Sequence, residues 1–272
     1  MIMHHRTYFL NVFWVSICLI YSSTVLAYND KKGLGVIPGN SLHAGYTEGI
    51  KKLDINWYYN WGVFPEKKMP SEIQFVPMIG NKNAVKKVNN VTSYPYVLLF
   101  NEPDPVQVSS HIDIITPKDA SNLFEGIISK LDKVKIISPA PRNPWNNWLH
   151  DFNRISGDSK RMHAIAMHWY GEPDIEKFKK DVNFIHNKYK NKLWITEFAV
   201  RIPCNDNSEE NPKKVYRFMK EALTFLNQQT YVEKYSWFSP KDSSSESCKL
   251  RYDVLINTDG SLTDLGLLYS KY

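Results

Sequence analysis

Tyr96-Val97-Leu98-Leu99-Phe100-Asn101-Glu102-Pro103-Asp104 is an apolar run that ends abruptly in an amide, two carboxylates and a proline. A short, nearly continuous apolar segment of this kind reads as a strand buried on both faces, as parallel strands are. The same pattern recurs along the chain. Before it lie Gly33–Val36, Ile55–Tyr59 and Gln74–Met78; after it lie Lys135–Ser138, Ala164–His168, Leu193–Thr196 and Lys234–Phe238.

Helical patterns fill several of the gaps. Thr116 precedes Pro117, and Ala120, Leu123, Ile127 and Ile128 share one face of a segment reaching Leu131; a capping hydroxyl followed by proline is a helix start. Ile175, Phe178, Val182, Ile185 and Tyr189 repeat in the same way, as do Val215, Phe218, Met219, Ala222 and Leu226. Strands alternating with such helices imply right-handed crossovers. Eight strand candidates predict α/β architecture as a single closed (β/α)8 TIM barrel over residues 28–272. An open doubly wound sheet is the alternative. It does not need eight repeats, and Gly33-Leu34-Gly35 lacks the rest of its nucleotide fingerprint.

Chemistry in such a barrel gathers at the carboxyl ends of the strands. Glu102 ends the fourth candidate strand and Glu197 the seventh. A carboxylate after an apolar run is costly unless a cleft solvates it or hydrogen bonds fix it. One such residue is readily a helix cap or an ion-pair partner. Two at one rim suit glycosidic cleavage, where one acid is protonated and the other ionised. Other residues fall at the same ends. Asn101 can donate to a sugar hydroxyl or fix a turn; Tyr58 and Tyr59 can bind sugar; His168 and Tyr170 can bond a carboxylate or a hydroxyl. Trp237 can stack beneath a pyranose ring, although any one of these aromatics serves equally well in a core. Asp104 reads as a structural residue at this rim.

The rest of the sequence narrows the class. Residues 1–27 run from His4, His5 and Arg6 through an apolar stretch to Val25-Leu26-Ala27, the layout of a secretory signal cleaved after Ala27. Cys18 leaves with it, and Cys204 and Cys248 are expected to form one disulfide, tying the polar loops 201–212 and 239–249 together. The formal net charge of +6 is scattered among interspersed acids, which argues against nucleic acid as a partner. No later run is apolar enough to span a membrane. The histidines show no zinc spacing, and no phosphate loop or serine nucleophile elbow is present, so neither a metal nor a cofactor is expected. Asn90-Val91-Thr92 is a glycosylation triplet.

In its ordered set of motifs the chain resembles the alkali-sensitive-linkage-type glycosyl hydrolases, the β-1,3-glucanases of glycoside hydrolase family 128. The matching stretches are Gly33-Leu34-Gly35, Trp57-Tyr58-Tyr59-Asn60-Trp61, Phe75-Val76-Pro77-Met78, Asn101-Glu102-Pro103-Asp104, Ser138-Pro139-Ala140, His168-Trp169-Tyr170-Gly171, Thr196-Glu197-Phe198-Ala199, Tyr235-Ser236-Trp237-Phe238 and Leu262-Thr263-Asp264-Leu265-Gly266. Val36-Ile37-Pro38-Gly39-Asn40 departs from the simplest members. The resemblance implies a retaining β-1,3-glucanase without cofactor, acting on a bent β-1,3-glucan in an aromatic cleft; endo-action and a monomer are expected beside it, and the leader-like residues 1–27 point to a secreted or cell-wall location. The resemblance makes Glu102 the acid/base and Glu197 the nucleophile, with carboxyl groups about 5–5.5 Å apart. Glycosidases of other linkage (β-1,4-glucan or mannan) and a non-catalytic β-glucan-binding protein are the alternatives.

Overall fold

A computed structural model describes residues 29–38, 45–105, 114–157, 161–240 and 248–272; the expected signal, residues 1–27, lies outside them. The elements run β1 (Lys32–Gly35), α1 (Tyr46–Lys52), β2 (Trp57–Tyr59), β3 (Gln74–Phe75), β4 (Met78–Ile79), a 3₁₀ segment (Asn83–Val91), β5 (Tyr96–Asn101), α2 (Pro117–Ile128) and β6 (Lys135–Ala140). They continue with α3 (Trp148–Ser156), β7 (Met162–Gly171), α4 (Ile175–Tyr189), β8 (Lys192–Val200), α5 (Asn211–Gln228), β9 (Val232–Trp237), a 3₁₀ turn (Cys248–Leu250) and α6 (Asp264–Tyr269).

The strands form one all-parallel sheet of nine, in the order β3-β2-β1-β9-β8-β7-β6-β5-β4. This corrects the closed eight-stranded (β/α)8 TIM barrel expected from the sequence. The segment Gln74–Met78 is not one strand. The Val76 N–H still bonds the Tyr58 carbonyl of β2 at 2.9 Å, whereas the next carbonyl, of Pro77, accepts from Leu98 of β5 at 2.9 Å. Pro77 has no N–H to extend a ladder. The chain changes partners there, and β3 and β4 become the two open ends of the order.

The sheet is curled, because residues far apart in that order touch across its inner face. The Trp57 ring of β2 lies 5.2 Å from Trp194 of β8, and Tyr96 of β5 lies 5.0 Å from the same ring. Trp57, Tyr59, Met78, Leu98, Ile137, Ala166 and Trp194 fill this inner cluster; a larger one lies between the sheet and the helices. Gly33 is required for that packing, since a Cβ there would come within 2.2 Å of the Trp57 indole. At the amino ends of the strands, Lys234 Nζ stands 5.6 Å from the Trp194 ring centroid, 5.9 Å from Trp57 and 6.0 Å from Tyr96, while donating to the Asp30 carbonyl at 3.0 Å.

Helix starts follow local chemistry. Thr116 Oγ1 accepts from the Asp119 N–H at 3.1 Å ahead of α2, and Asp174 Oδ1 accepts from Lys177 N–H at 2.9 Å ahead of α4. Lysines occupy two helix ends: Lys31 Nζ donates to the carbonyls of Leu226, Asn227 and Gln229 after α5, and Lys32 Nζ to those of Tyr269 and Ser270 after α6. Asn29 Nδ2 reaches the Tyr272 carbonyl at 2.7 Å. A disulfide joins Cys204 to Cys248, with Cα atoms 5.4 Å apart.

Candidate active site

Glu102 follows β5 on a strained turn. Phe100 has φ 25° and Glu102 itself φ 46°, in the left-handed region that non-glycine residues avoid. The Glu102 N–H is held by the Ala140 carbonyl of β6 at 2.9 Å and the Asn101 N–H by Gly80 at 2.9 Å. This turn swings the carboxylate over the strand ends. Glu197 and His168 face each other in register on β8 and β7, next to an irregularity after Met167. Glu102, His168 and Glu197 are all buried, and one oxygen of each carboxylate and a ring nitrogen of the histidine lie within 4.8 Å of one another.

The two acids have different surroundings. Glu197 accepts on both oxygens, from Tyr170 Oη at 2.5 Å on Oε2 and from Trp61 Nε1 at 3.1 Å on Oε1; Tyr59 Oη stands 3.3 Å from Oε1 and shares its one proton with the Thr196 carbonyl at 2.9 Å. Glu102 Oε1 is 3.0 Å from His168 Nδ1, and its Oε2 is 4.0 Å from Arg142 Nη1. His168 Nδ1 is also 3.5 Å from Glu197 Oε2, so the imidazole stands between the acids. Arg201 lies over the Tyr170 ring, 4.7 Å from its centroid.

These contacts set the proton balance. Burial pushes the Glu197 carboxyl up, and the negative charge of Glu102 adds to it, against the pull of His168, Tyr170 and Trp61. Burial also pushes Glu102 up, but the hydrogen bond and charge of His168, with Arg142 and Arg201, outweigh it and hold that carboxyl below its ordinary range. Burial disfavours a charged His168, yet the Glu197 charge and the Glu102 hydrogen bond and charge raise it above the usual imidazole value. The trio offers three donor-type ligand atoms to a metal ion. The N–H and O–H groups of Trp61, Tyr170 and Tyr59 already point at the Glu197 oxygens, where a cation would have to displace them, so the arrangement suits proton chemistry better.

The structure brings Glu102, Glu197, His168, Tyr170 and Tyr59 into one cluster. Asn101 lies on the same turn, and its Oδ1 is buried without a partner among the described residues. Tyr58 and Trp237 do not reach it. Tyr58 points to the opposite side of β2 from Tyr59 and packs on Phe75, ring centroids 5.1 Å apart. Trp237 is wholly buried against Phe198 at 5.0 Å, its Nε1 donating to the Asp253 carbonyl at 3.0 Å, so it offers no face to a ligand. The half-buried Trp61 and Phe238, whose rings lie 6.2 Å apart, take the position expected of Trp237. Trp61 belonged to a recognised motif, but its contact with Glu197 depends on a backbone at φ 57° that no periodicity reveals. Arg142 and Arg201 gave no signal beyond following β6 and β8. Asn90 is exposed on the 3₁₀ segment.

The chain matches the model of the glycosyl hydrolase catalytic core over residues 33–269. It is 32% identical over 246 residues to alkali-sensitive linkage protein 1 of Schizosaccharomyces pombe, a match covering 89% of this chain and 44% of the relative, so the chain spans less than half that protein's length. Among solved structures it resembles a family 128 subgroup I endo-β-1,3-glucanase from Amycolatopsis mediterranei in complex with laminaritriose, with TM-score 0.73 and 21% identity, covering 89% of this chain and 99% of that one. It resembles a subgroup V exo-β-1,3-glucanase from Cryptococcus neoformans with TM-score 0.72 and 21% identity, covering 88% and 98%. These structures share the fold. With the matched region taking in both carboxylates and the strands that carry them, the chain belongs to the glycosyl hydrolase catalytic core family.

Proposed function

We propose that the chain is a retaining endo-β-1,3-glucanase in which Glu197 is the nucleophile and Glu102 the acid/base. The observation that carries this is the asymmetry of two facing acids. One oxygen of each lies within 4.8 Å of the other, so both acids can reach one glycosidic bond, as the short separation of about 5–5.5 Å in retaining glycosidases requires. Tyr170 and Trp61 donate to Glu197 and favour its charge, as a nucleophile requires, and they work against the burial that raises its carboxyl before sugar is bound. Glu102 adjoins a titratable imidazole, as a group that gains and loses a proton requires.

Sugar binding strips water from Glu102, and burial, already the strongest influence on it, then pushes its carboxyl higher. A proton on His168 Nδ1 is one hydrogen bond away and passes to it. Glu102 gives that proton to the glycosidic oxygen while Glu197 attacks the anomeric carbon. The ester removes the charge of Glu197, and Glu102, now a base, takes a proton from the water that releases the sugar. The β-1,3 assignment draws on relatives named for that linkage. Residues 28–272 are read as the catalytic unit and residues 1–27 as a secretory leader. The disulfide and the exposed Asn90 support a secretory route to the cell exterior or wall.

Digestion of laminarin followed by NMR and product sizing tests the reading. The β-anomer should appear first, with mixed oligosaccharide lengths. The α-anomer first would rule out retention. Cleavage of β-1,4-glucan or mannan in place of laminarin would reassign the linkage, and laminarin binding without turnover would make this a binding protein. Glu102→Gln and Glu197→Gln should each abolish hydrolysis while keeping laminarin binding.

A further inference from the structure

The strand ends that carry the two acids are braced by buried carboxyl groups that the two-carboxylate chemistry does not use. Asp104, two residues beyond Glu102, accepts the Arg142 N–H at 2.6 Å, the Asn143 N–H at 3.0 Å and the Asn146 side-chain amide at 2.8 Å. Beyond Glu197, three successive N–H groups are tied down: Val200 to Asp253 Oδ1 at 2.9 Å, Arg201 to the Gly171 carbonyl at 2.7 Å and Ile202 to the Lys249 carbonyl at 2.9 Å. The loop that follows is held by the Cys204–Cys248 disulfide and by Arg251, whose guanidinium donates to the carbonyls of Ile202, Pro203, Asp206 and Cys248.

The Arg201 side chain is therefore not needed to hold this loop, and it does not bind it. Half-buried, it forms no hydrogen bond or ion pair among the described residues. Its guanidinium lies over the Tyr170 ring, 4.7 Å from the centroid, and Phe238 meets the same ring edge-on at 5.7 Å. Tyr170 Oη donates to Glu197 Oε2 at 2.5 Å, closer than Trp61 Nε1 stands to Oε1 at 3.1 Å. A cation on the face of a phenol is attracted to the ring and draws electron density from it, which makes the O–H a better donor to a carboxylate. Glu102 feels the Arg201 charge less than it feels His168 or Arg142. We infer that Arg201 is a positioning residue for the nucleophile: it clamps the Tyr170 ring, keeps the phenol hydroxyl on Glu197 and supports through it the charge that attacks the anomeric carbon. The inference rests on the glucanase reading and adds to it the group that sets the strength of the nucleophile's contact.

Nitrophenyl β-laminaribioside isolates this role, because its leaving group departs without a proton from Glu102 and kcat/KM then follows attack by Glu197. Arg201→Met keeps the side-chain stem and loses the charge. It should lower kcat/KM about tenfold, the scale of one desolvated cation–π contact. The acid limb of the pH profile should move upward, since Glu197 must be ionised to attack; the other groups facing it, Glu102, His168, Tyr170, Trp61 and Tyr59, are unchanged. On laminarihexaose the loss should fall on kcat and leave KM in place, and Arg201→Lys should recover most of it. In a Tyr170→Phe background R201M should add nothing to either readout. Its Tm should stay near that of wild type, and Arg201→Gln gives the same comparison where R201M does not fold. A full tenfold loss in the Y170F background, a loss confined to KM, an equal loss in R201K or a wild-type rate in R201M overturns the positioning role alone. A wild-type chain that turns over neither substrate overturns the glucanase reading, and the positioning role falls with it.

Discussion

His168 touches both acids, so its replacement separates the proton roles within the trio. Glutamine at this position keeps an N–H donor but carries no charge. Glu102 then loses the charge of His168 but keeps Arg142 and Arg201, and Glu197 loses one of its downward influences. Both limbs of the kcat/KM profile of H168Q should therefore move to higher pH, by about one unit, with a lower maximum. Limbs that stay in place would remove His168 from the proton exchange. Stability carries the same signs. Glu102, depressed in the fold, stabilises above its unfolded pKa, and the gain is lost as pH falls through its folded value. His168, elevated, stabilises below its unfolded pKa and loses the gain as pH rises through its folded value. The Tm advantage of wild type over H168Q should peak between the ordinary carboxylate and imidazole ranges and shrink on either side. Asp104 is a second residue with a defined cost. Asp104→Asn removes the charge from three hydrogen bonds and should destabilise the fold by about 1.5–3 kcal/mol, read as a fall in denaturant midpoint at constant m.

At the scale of elements, the carboxyl end of β8 is pinned by a buried acid. Asp253 Oδ1 accepts the Val200 N–H at 2.9 Å, and burial pushes its carboxyl well above the usual range. The folded chain keeps a proton there that the unfolded chain releases. Stability should thus fall as pH climbs from the ordinary aspartate range toward the folded value. Asp253→Asn has no such slope, so its Tm relative to wild type should improve steadily from acidic to neutral pH; a constant difference would mean that Asp253 is ionised in the fold. Elements were also where the sequence was most readable. The apolar runs marked β1, β2 and β5 to β9, and the stripes marked α2, α4 and α5, because burial on a sheet imposes those patterns. The short α1, α3 and α6 left no comparable signal. Which face of a strand a residue takes was harder. Tyr58 and Tyr59 read alike, yet strand alternation sends only Tyr59 inward, and Trp237 falls on the helix side for the same reason. The split at Val76-Pro77 was hidden because both halves are apolar. Glu102 and Glu197 were legible because ionisable groups seldom end a buried strand without purpose.

Among the described residues, the carboxyl ends of the strands carry strain, the acids and polar atoms without a partner such as Asn101 Oδ1, while the amino ends are closed by Lys234 among three rings and by Lys31 and Lys32 on two helix ends. Packing is concentrated at one end and chemistry at the other, so the site can hold an uncomfortable backbone at Phe100 and Glu102 without loosening the fold. The contact between Asn29 and the Tyr272 carbonyl has a further use. Residues that are 243 positions apart in sequence are neighbours in space, so a short glycine-serine bridge can join them. A circular permutant so closed, and reopened between α3 and β7, keeps every catalytic strand and should refold with its cleft intact. Its circular dichroism spectrum and laminarin turnover should match those of the linear chain.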